Sequence, residues 1–92
     1  MSAERVVIHG KVQGVWYRAW AVEQATRRGL AGWVRNRQDG AVEALFAGDP
    51  AAVEAMIEAC RTGPKHARVS EIRRFPAQPP SGTGFRQLPD GD

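Results

Sequence analysis

Two side chains have types and positions suited to chemistry on a phosphate. Arg18 stands where the stretch Gln13-Gly14-Val15-Trp16-Tyr17 runs into a segment of helical spacing. A helix start offers unpaired backbone N–H groups and the positive end of the helix dipole. A glycine-containing turn just before it can curl further N–H groups toward one point, which makes an anion site. The guanidinium adds a planar fork that can hold two phosphate oxygens at once. An arginine at a helix start is, by itself, an ordinary surface residue. Asn36 supplies what the arginine lacks. Its carboxamide cannot act as a base near neutral pH, but its oxygen can accept from a water while its NH2 donates.

The other chemistry-bearing residues have plainer explanations. Gly10-Lys11 suggests a nucleotide-binding loop, but that motif needs Ser or Thr after the Lys, and Val12 follows. His9 and His66 have no His, Cys or carboxylate partner at metal-ligand spacing, so no metal is expected. Cys60 is the single cysteine, which excludes a disulfide framework and a thiolate cluster, and it falls on the apolar stripe of a helix. Asp39 and Glu43 read as a hairpin turn and an exposed strand face. Thirteen Lys and Arg against ten Asp and Glu give a net charge of +3, which suits an anionic partner without naming one. The basic residues are scattered, whereas a nucleic-acid binder would more often gather them on one element.

These residues must be positioned by regular elements. Residues 4–11 carry three successive β-branched residues and read as a strand. Residues 18–28 read as a helix, with Ala19, Val22 and Thr26, or Val22 and Ala25, at helical spacing and Gly29 as its left-handed stop. Residues 31–38 and 41–47 read as strands joined at Asp39-Gly40, a two-residue hairpin signal. Asp49 and Pro50 open a second helix, whose buried stripe is Val53, Met56, Ile57 and Cys60. Gly63-Pro64 ends it, and residues 67–75 return to strand. Residues 76–84 are a loop by composition, 85–88 a short last strand, and 89–92 a fraying end.

The order β-α-β-β-α-β predicts a ferredoxin-like α+β sandwich, an antiparallel sheet of four to five strands with two helices on one face. One domain over residues 1–92 is expected, with its core at about 4–88. The β-α-β crossover makes the first two strands parallel, so their C-terminal ends share one sheet edge. That brings the loop at 13–18 beside Asn36.

The residues on this edge lie in two long motifs. Gly10-Lys11-Val12-Gln13-Gly14-Val15-Trp16-Tyr17-Arg18 resembles the G-x-V-Q-G-V-x-[FY]-R signature of acylphosphatases. Residues 29–43, from Gly29-Leu30-Ala31-Gly32-Trp33-Val34 through Asn36 and Asp39-Gly40 to Glu43, are similar to the second, G-x-x-G-W-V-x-N-x-x-D-G-x-V-E. Gly63-Pro64 with Ala67 and Val69 matches the G-P-x-x-A-x-V that follows the second helix in many members. The resemblance covers residues 5 to 88, and implies a hydrolase that cleaves acyl phosphates to carboxylate and inorganic phosphate without metal or cofactor. It makes Gln13, Gly14, Val15, Trp16, Tyr17 and Arg18 the phosphate-binding loop, with Arg18 and backbone amides on the phosphoryl oxygens. It makes Asn36 the residue that orients the attacking water. Many members have Phe at the place of Tyr17, and a small residue or Phe at that of Trp16. Trp16 and Trp20 either line the mouth of the site or pack on the domain.

Two rivals share the fold: a non-catalytic anion sensor and an RNA-binding module. A sensor has no use for Asn36, and the third strand carries Glu43 where an RNA-binding domain of this fold has its basic-aromatic cluster. No apolar run reaches the roughly 18–20 residues of a membrane span, and the N-terminus carries no apolar leader. The expectation is therefore a stand-alone cytoplasmic monomer acting on small molecules, with no nucleic acid or membrane partner.

Overall fold

In the computed structural model, which describes residues 1–91, the β-branched run Val6-Val7-Ile8 sits at the centre of β1 (Ser2–Lys11). The elements that follow are α1 (Tyr17–Arg27), β2 (Ala31–Asn36), β3 (Val42–Gly48), α2 (Pro50–Cys60), β4 (Arg68–Pro76) and β5 (Phe85–Gln87). The sheet order is β4-β1-β3-β2-β5. Both β1 and β2 pair antiparallel with β3, which makes β1 and β2 parallel, as the crossover requires. Their C-terminal ends share one edge.

Alternation along the strands sorts the sheet into two faces. Val6, Ile8, Val34, Val42, Ala44 and Phe46 point to the helices, where Tyr17, Ala21 and Ala25 of α1 and Val53, Met56, Ile57 and Cys60 of α2 complete one core. The stripe on α2 is the one its spacing predicts. That on α1 differs: Ala19 and Thr26 are exposed and Val22 half-buried, while Tyr17, Ala21 and Ala25 face inward. The periodic signal was weak because the buried face consists of two alanines and the helix's first residue. Capping behaves as expected. At the end of α1 the Leu30 N–H reaches the Ala25 carbonyl at 3.0 Å and the Gly29 N–H that of Thr26 at 3.0 Å, closing the last turn around a left-handed Gly29.

Four expectations need correction. The β2–β3 connection is not a two-residue turn with positive φ at Asp39, since only Gly40 is left-handed there. The Gly40 N–H bonds the Arg37 carbonyl at 3.3 Å and the Arg37 N–H that of Ala41 at 2.9 Å, a three-residue loop in which the Asp39 side chain accepts from the Ala41 N–H. Glu43 is not exposed. It is 5% accessible, and Arg5 and Arg35 donate to it at 2.9 and 2.8 Å. No helix covers this face, so the long arginine stems lie across it and satisfy the carboxylate that their bulk buries.

The sheet is mixed rather than antiparallel. The 76–84 loop carries the chain from the β4 edge to the opposite edge, where β5 runs parallel to β2. The tail beyond β5 does not fray at residue 89. The Leu88 N–H bonds the Val34 carbonyl at 2.9 Å and the Gly91 N–H that of Asn36 at 2.8 Å, because β2 otherwise ends the sheet with free carbonyls. Asp92, part of the predicted fraying end, lies outside the described residues. Gly32 allows the closure: at φ 136° it would drive a Cβ into the Leu45 carbonyl, and Phe85 of β5 lies against it, its ring stacked 5.4 Å from that of Phe46.

Candidate active site

The two helices begin differently. Asp49 caps α2, accepting from the Ala51 and Ala52 N–H groups at 3.1 and 3.3 Å. No side chain among the described residues caps α1, whose N-cap is Trp16. Its first-turn N–H groups are thus left for another acceptor. The loop leading there alternates conformations: Gly14 (φ 74°) and Trp16 (φ 67°) are left-handed, and Gln13 and Val15 are not. Such alternation turns successive N–H groups toward one concave side. Trp16 is the one non-glycine residue with positive φ among those described, a conformation that costs roughly 1–2 kcal/mol.

A cleft of about 320 Å³ opens at this point, lined by Val12, Gly14, Trp16, Tyr17, Arg18, Ala19, Asn36 and Gln87. It joins the loop, the start of α1 and the end of β2, as the parallel-strand argument requires. Of the residues assigned to the phosphate loop, Gly14, Trp16, Tyr17 and Arg18 line it and Gln13 and Val15 do not. Val15 is buried in the core. The Gln13 amide points away, donating to the carbonyls of Arg37 and Ala41 at 2.8 and 2.9 Å. It ties the loop to the hairpin that follows Asn36. Gln13→Ala would strip both carbonyls of this donor, at about 1–2 kcal/mol of stability. The expected result is a lower urea midpoint and a kcat reduced about tenfold, since small displacements of positioned groups are costly.

Asn36 is 8% exposed and faces the helices alongside Val34. Its backbone carbonyl is taken by Gly91, its carboxamide makes no hydrogen bond to another described residue, and it lines the cleft. Arg18, with its side chain 30% exposed, pairs with Asp90 at 3.0 Å, whose own side chain is 66% exposed. Ion pairs so open to water are typically worth ~0–1 kcal/mol, so a doubly charged phosphate can displace this one.

Sequence reasoning missed Val12, Ala19, Gln87 and Asp90. The last two reach the site only because β5 and the tail pair with β2, and no local pattern marks that. Two other groups are removed from the chemistry. The Tyr17 hydroxyl donates to the Cys60 carbonyl at 2.6 Å, and burial holds its ionisation far above the working range. Burial also pushes the Cys60 thiol up to about 12, which makes it core filling and no nucleophile.

Fold and cleft together define a ferredoxin-like domain with a cleft between an uncapped helix start and a neighbouring strand end. The acylphosphatase family model matches residues 4–87, and the chain belongs to that family. It is 63% identical over 89 residues to an acylphosphatase of Rhodospirillum rubrum, covering 97% of this chain and 98% of that one. An acylphosphatase of Azorhizobium caulinodans is 58% identical, over 88% of each chain. A crystal structure of an acylphosphatase from Bacillus subtilis superposes with a TM-score of 0.90 at 35% identity, covering 96% of this chain and 99% of that one.

Proposed function

We propose that this chain is an acyl-phosphate phosphohydrolase in which Arg18 and the loop amides bind the phosphoryl oxygens and Asn36 orients the attacking water. The observation that carries the reading is Asn36, a residue only 8% exposed that lines the same cleft as Arg18 and whose carboxamide makes no hydrogen bond to another described residue. Its amide atoms are not sealed off from solvent, so a water in the cleft can use both its oxygen and its NH2.

An acyl phosphate is already an activated anhydride, and phosphoryl transfer asks mainly for positioning and charge stabilisation. Arg18 and the N–H groups of the 14–18 segment meet the equatorial oxygens, where negative charge gathers. The Asn36 oxygen accepts one hydrogen of the water, which aims its lone pair at phosphorus. As the new P–O bond forms, the bond to the acyl oxygen breaks and its electron pair leaves on the carboxylate. The proton lost by the water goes to a phosphoryl oxygen, so the products are a carboxylate and dihydrogen phosphate. No protein base and no metal enters this scheme.

The same reading makes the protein a cytoplasmic monomer, with acyl phosphate and inorganic phosphate as its small-molecule partners and no nucleic-acid partner. A reducing compartment suits a lone buried cysteine. The open sheet face is already roofed, with Arg5 over the Phe75 ring at 4.4 Å and Arg35 over the Trp33 ring at 5.3 Å. Purified protein treated with EDTA is expected to release phosphate from benzoyl phosphate at the untreated rate. No hydrolysis, or a loss on chelation restored by a divalent cation, sinks the reading.

A further inference from the structure

Trp16 is 80% exposed, and it makes no ring contact with any described residue. The other large exposed apolar side chains have plain explanations: Met1 is the terminus, and Phe75 lies under the Arg5 guanidinium. Trp20, which the sequence pairs with Trp16 one turn on, is half-buried and meets Tyr17 edge to face at 5.3 Å. The two tryptophans therefore part company: Trp20 packs and Trp16 does not.

Trp16 also holds a strained backbone conformation, φ 67°, that glycine would adopt freely. Its side chain neither fills the core nor caps α1. The alternation of the loop accounts for the backbone conformation but not for an unburied aromatic ring at a position where glycine would relieve the strain. Trp16 lines the cleft that holds Arg18 and Asn36, together with Val12, Tyr17 and Ala19. An acyl phosphate has the same two parts, a charged phosphoryl group and an acyl group joined to it through one oxygen. With the phosphoryl group on Arg18, two positions along the chain, the acyl group falls within reach of the indole.

Resting on the phosphate assignment above, we infer that Trp16 is the platform for the acyl group, and that the enzyme prefers acyl phosphates with planar aromatic acyl groups over short aliphatic ones. The ring offers an apolar face that water now covers. A planar acyl group stacked there would bury both faces, whereas acetyl is too small to cover it. The contact selects among substrates, because the phosphoryl group and its partners are common to all of them.

The test compares kcat/KM for benzoyl phosphate and acetyl phosphate in the wild type, Trp16→Gly and Trp16→Phe. Glycine removes the ring and suits the left-handed backbone, so a fall in the ratio cannot be assigned to added strain. The benzoyl-to-acetyl ratio is expected to fall about fivefold to tenfold in Trp16→Gly, and to stay near the wild-type value in Trp16→Phe. The Ki ratio of benzylphosphonate to methylphosphonate should shift in the same sense, which separates binding of the acyl group from any effect on the chemical step. An unchanged ratio in Trp16→Gly, with the two substrates affected alike, overturns the platform and leaves the phosphate assignment standing. A wild type that hydrolyses neither substrate overturns the phosphate assignment and the platform with it.

Discussion

Arg18→Ala is expected to lower kcat/KM for benzoyl phosphate by about a thousandfold or more, and to raise the Ki of inorganic phosphate well over tenfold. A guanidinium on the transferring phosphoryl group stabilises charge that spreads over its oxygens in the transition state, and such arginines are worth roughly 10³–10⁵ in rate. The same group holds ground-state phosphate, so both constants move. Stability should change little, because the one pair lost is the water-exposed contact with Asp90. Arg18→Lys separates charge from geometry. It keeps the cation and loses the fork, so phosphate inhibition should return in part while turnover stays low. Full turnover in either variant would remove Arg18 from the mechanism. Steady-state kinetics with phosphate as competitive inhibitor, alongside urea unfolding, reads all of these quantities.

Asn36→Ala is expected to lower kcat by about 10²–10³ while the Ki of phosphate stays within about twofold. The split follows from the geometry. In the proposed assignment Arg18 and the loop amides take the phosphate oxygens and Asn36, which lines the same cleft from the end of β2, takes the water. Removing it leaves the anion site whole and the nucleophile unaimed. A second effect distinguishes this role from a structural one. The carboxamide has no protein hydrogen bond among the described residues. Truncating it breaks no internal contact, so the urea midpoint should hold or rise, the usual trade between stability and a preorganised site. A large loss of stability would mean that Asn36 holds the sheet edge together rather than a water. Loss of phosphate inhibition would mean that it binds the anion directly.

The division between what was legible and what was not runs along the range of the interactions. Elements with strong local chemistry could be read directly. The Asp49 cap, the stripe on α2 and the Gly29 stop are set by residues within one or two turns of each other, and the structure places them as their spacing predicts. The pairing of the 13–18 loop with Asn36 was also legible, through the rule that a β-α-β crossover returns the chain in the same direction. The inward face of α1 was not, because alanines at 21 and 25 carry little periodic signal. The turn at Asp39-Gly40 took a longer form, with the Asp39 carboxylate accepting from the Ala41 N–H in place of a left-handed Asp39.

By itself, the sequence determined the element order, the α2 core stripe and two of the residues that line the cleft at the sheet edge. Tertiary structure alone decided the rest. It buried Glu43 under arginines from two other segments, turned the Gln13 amide onto the carbonyls of Arg37 and Ala41, and brought Gln87 and Asp90 to the cleft through a parallel strand. Apart from Arg35 with Glu43, opposite each other in one hairpin, these contacts join residues far apart in the chain, so no local pattern encodes them. They form only when packing has fixed which strand edges and which carbonyls still lack a partner. The same holds for the site. Motif and spacing named Arg18 and Asn36, but only the fold, among the described residues, left the start of α1 uncapped and the Asn36 carboxamide unpaired, the conditions that the proposed mechanism asks of an ordinary arginine and an ordinary asparagine.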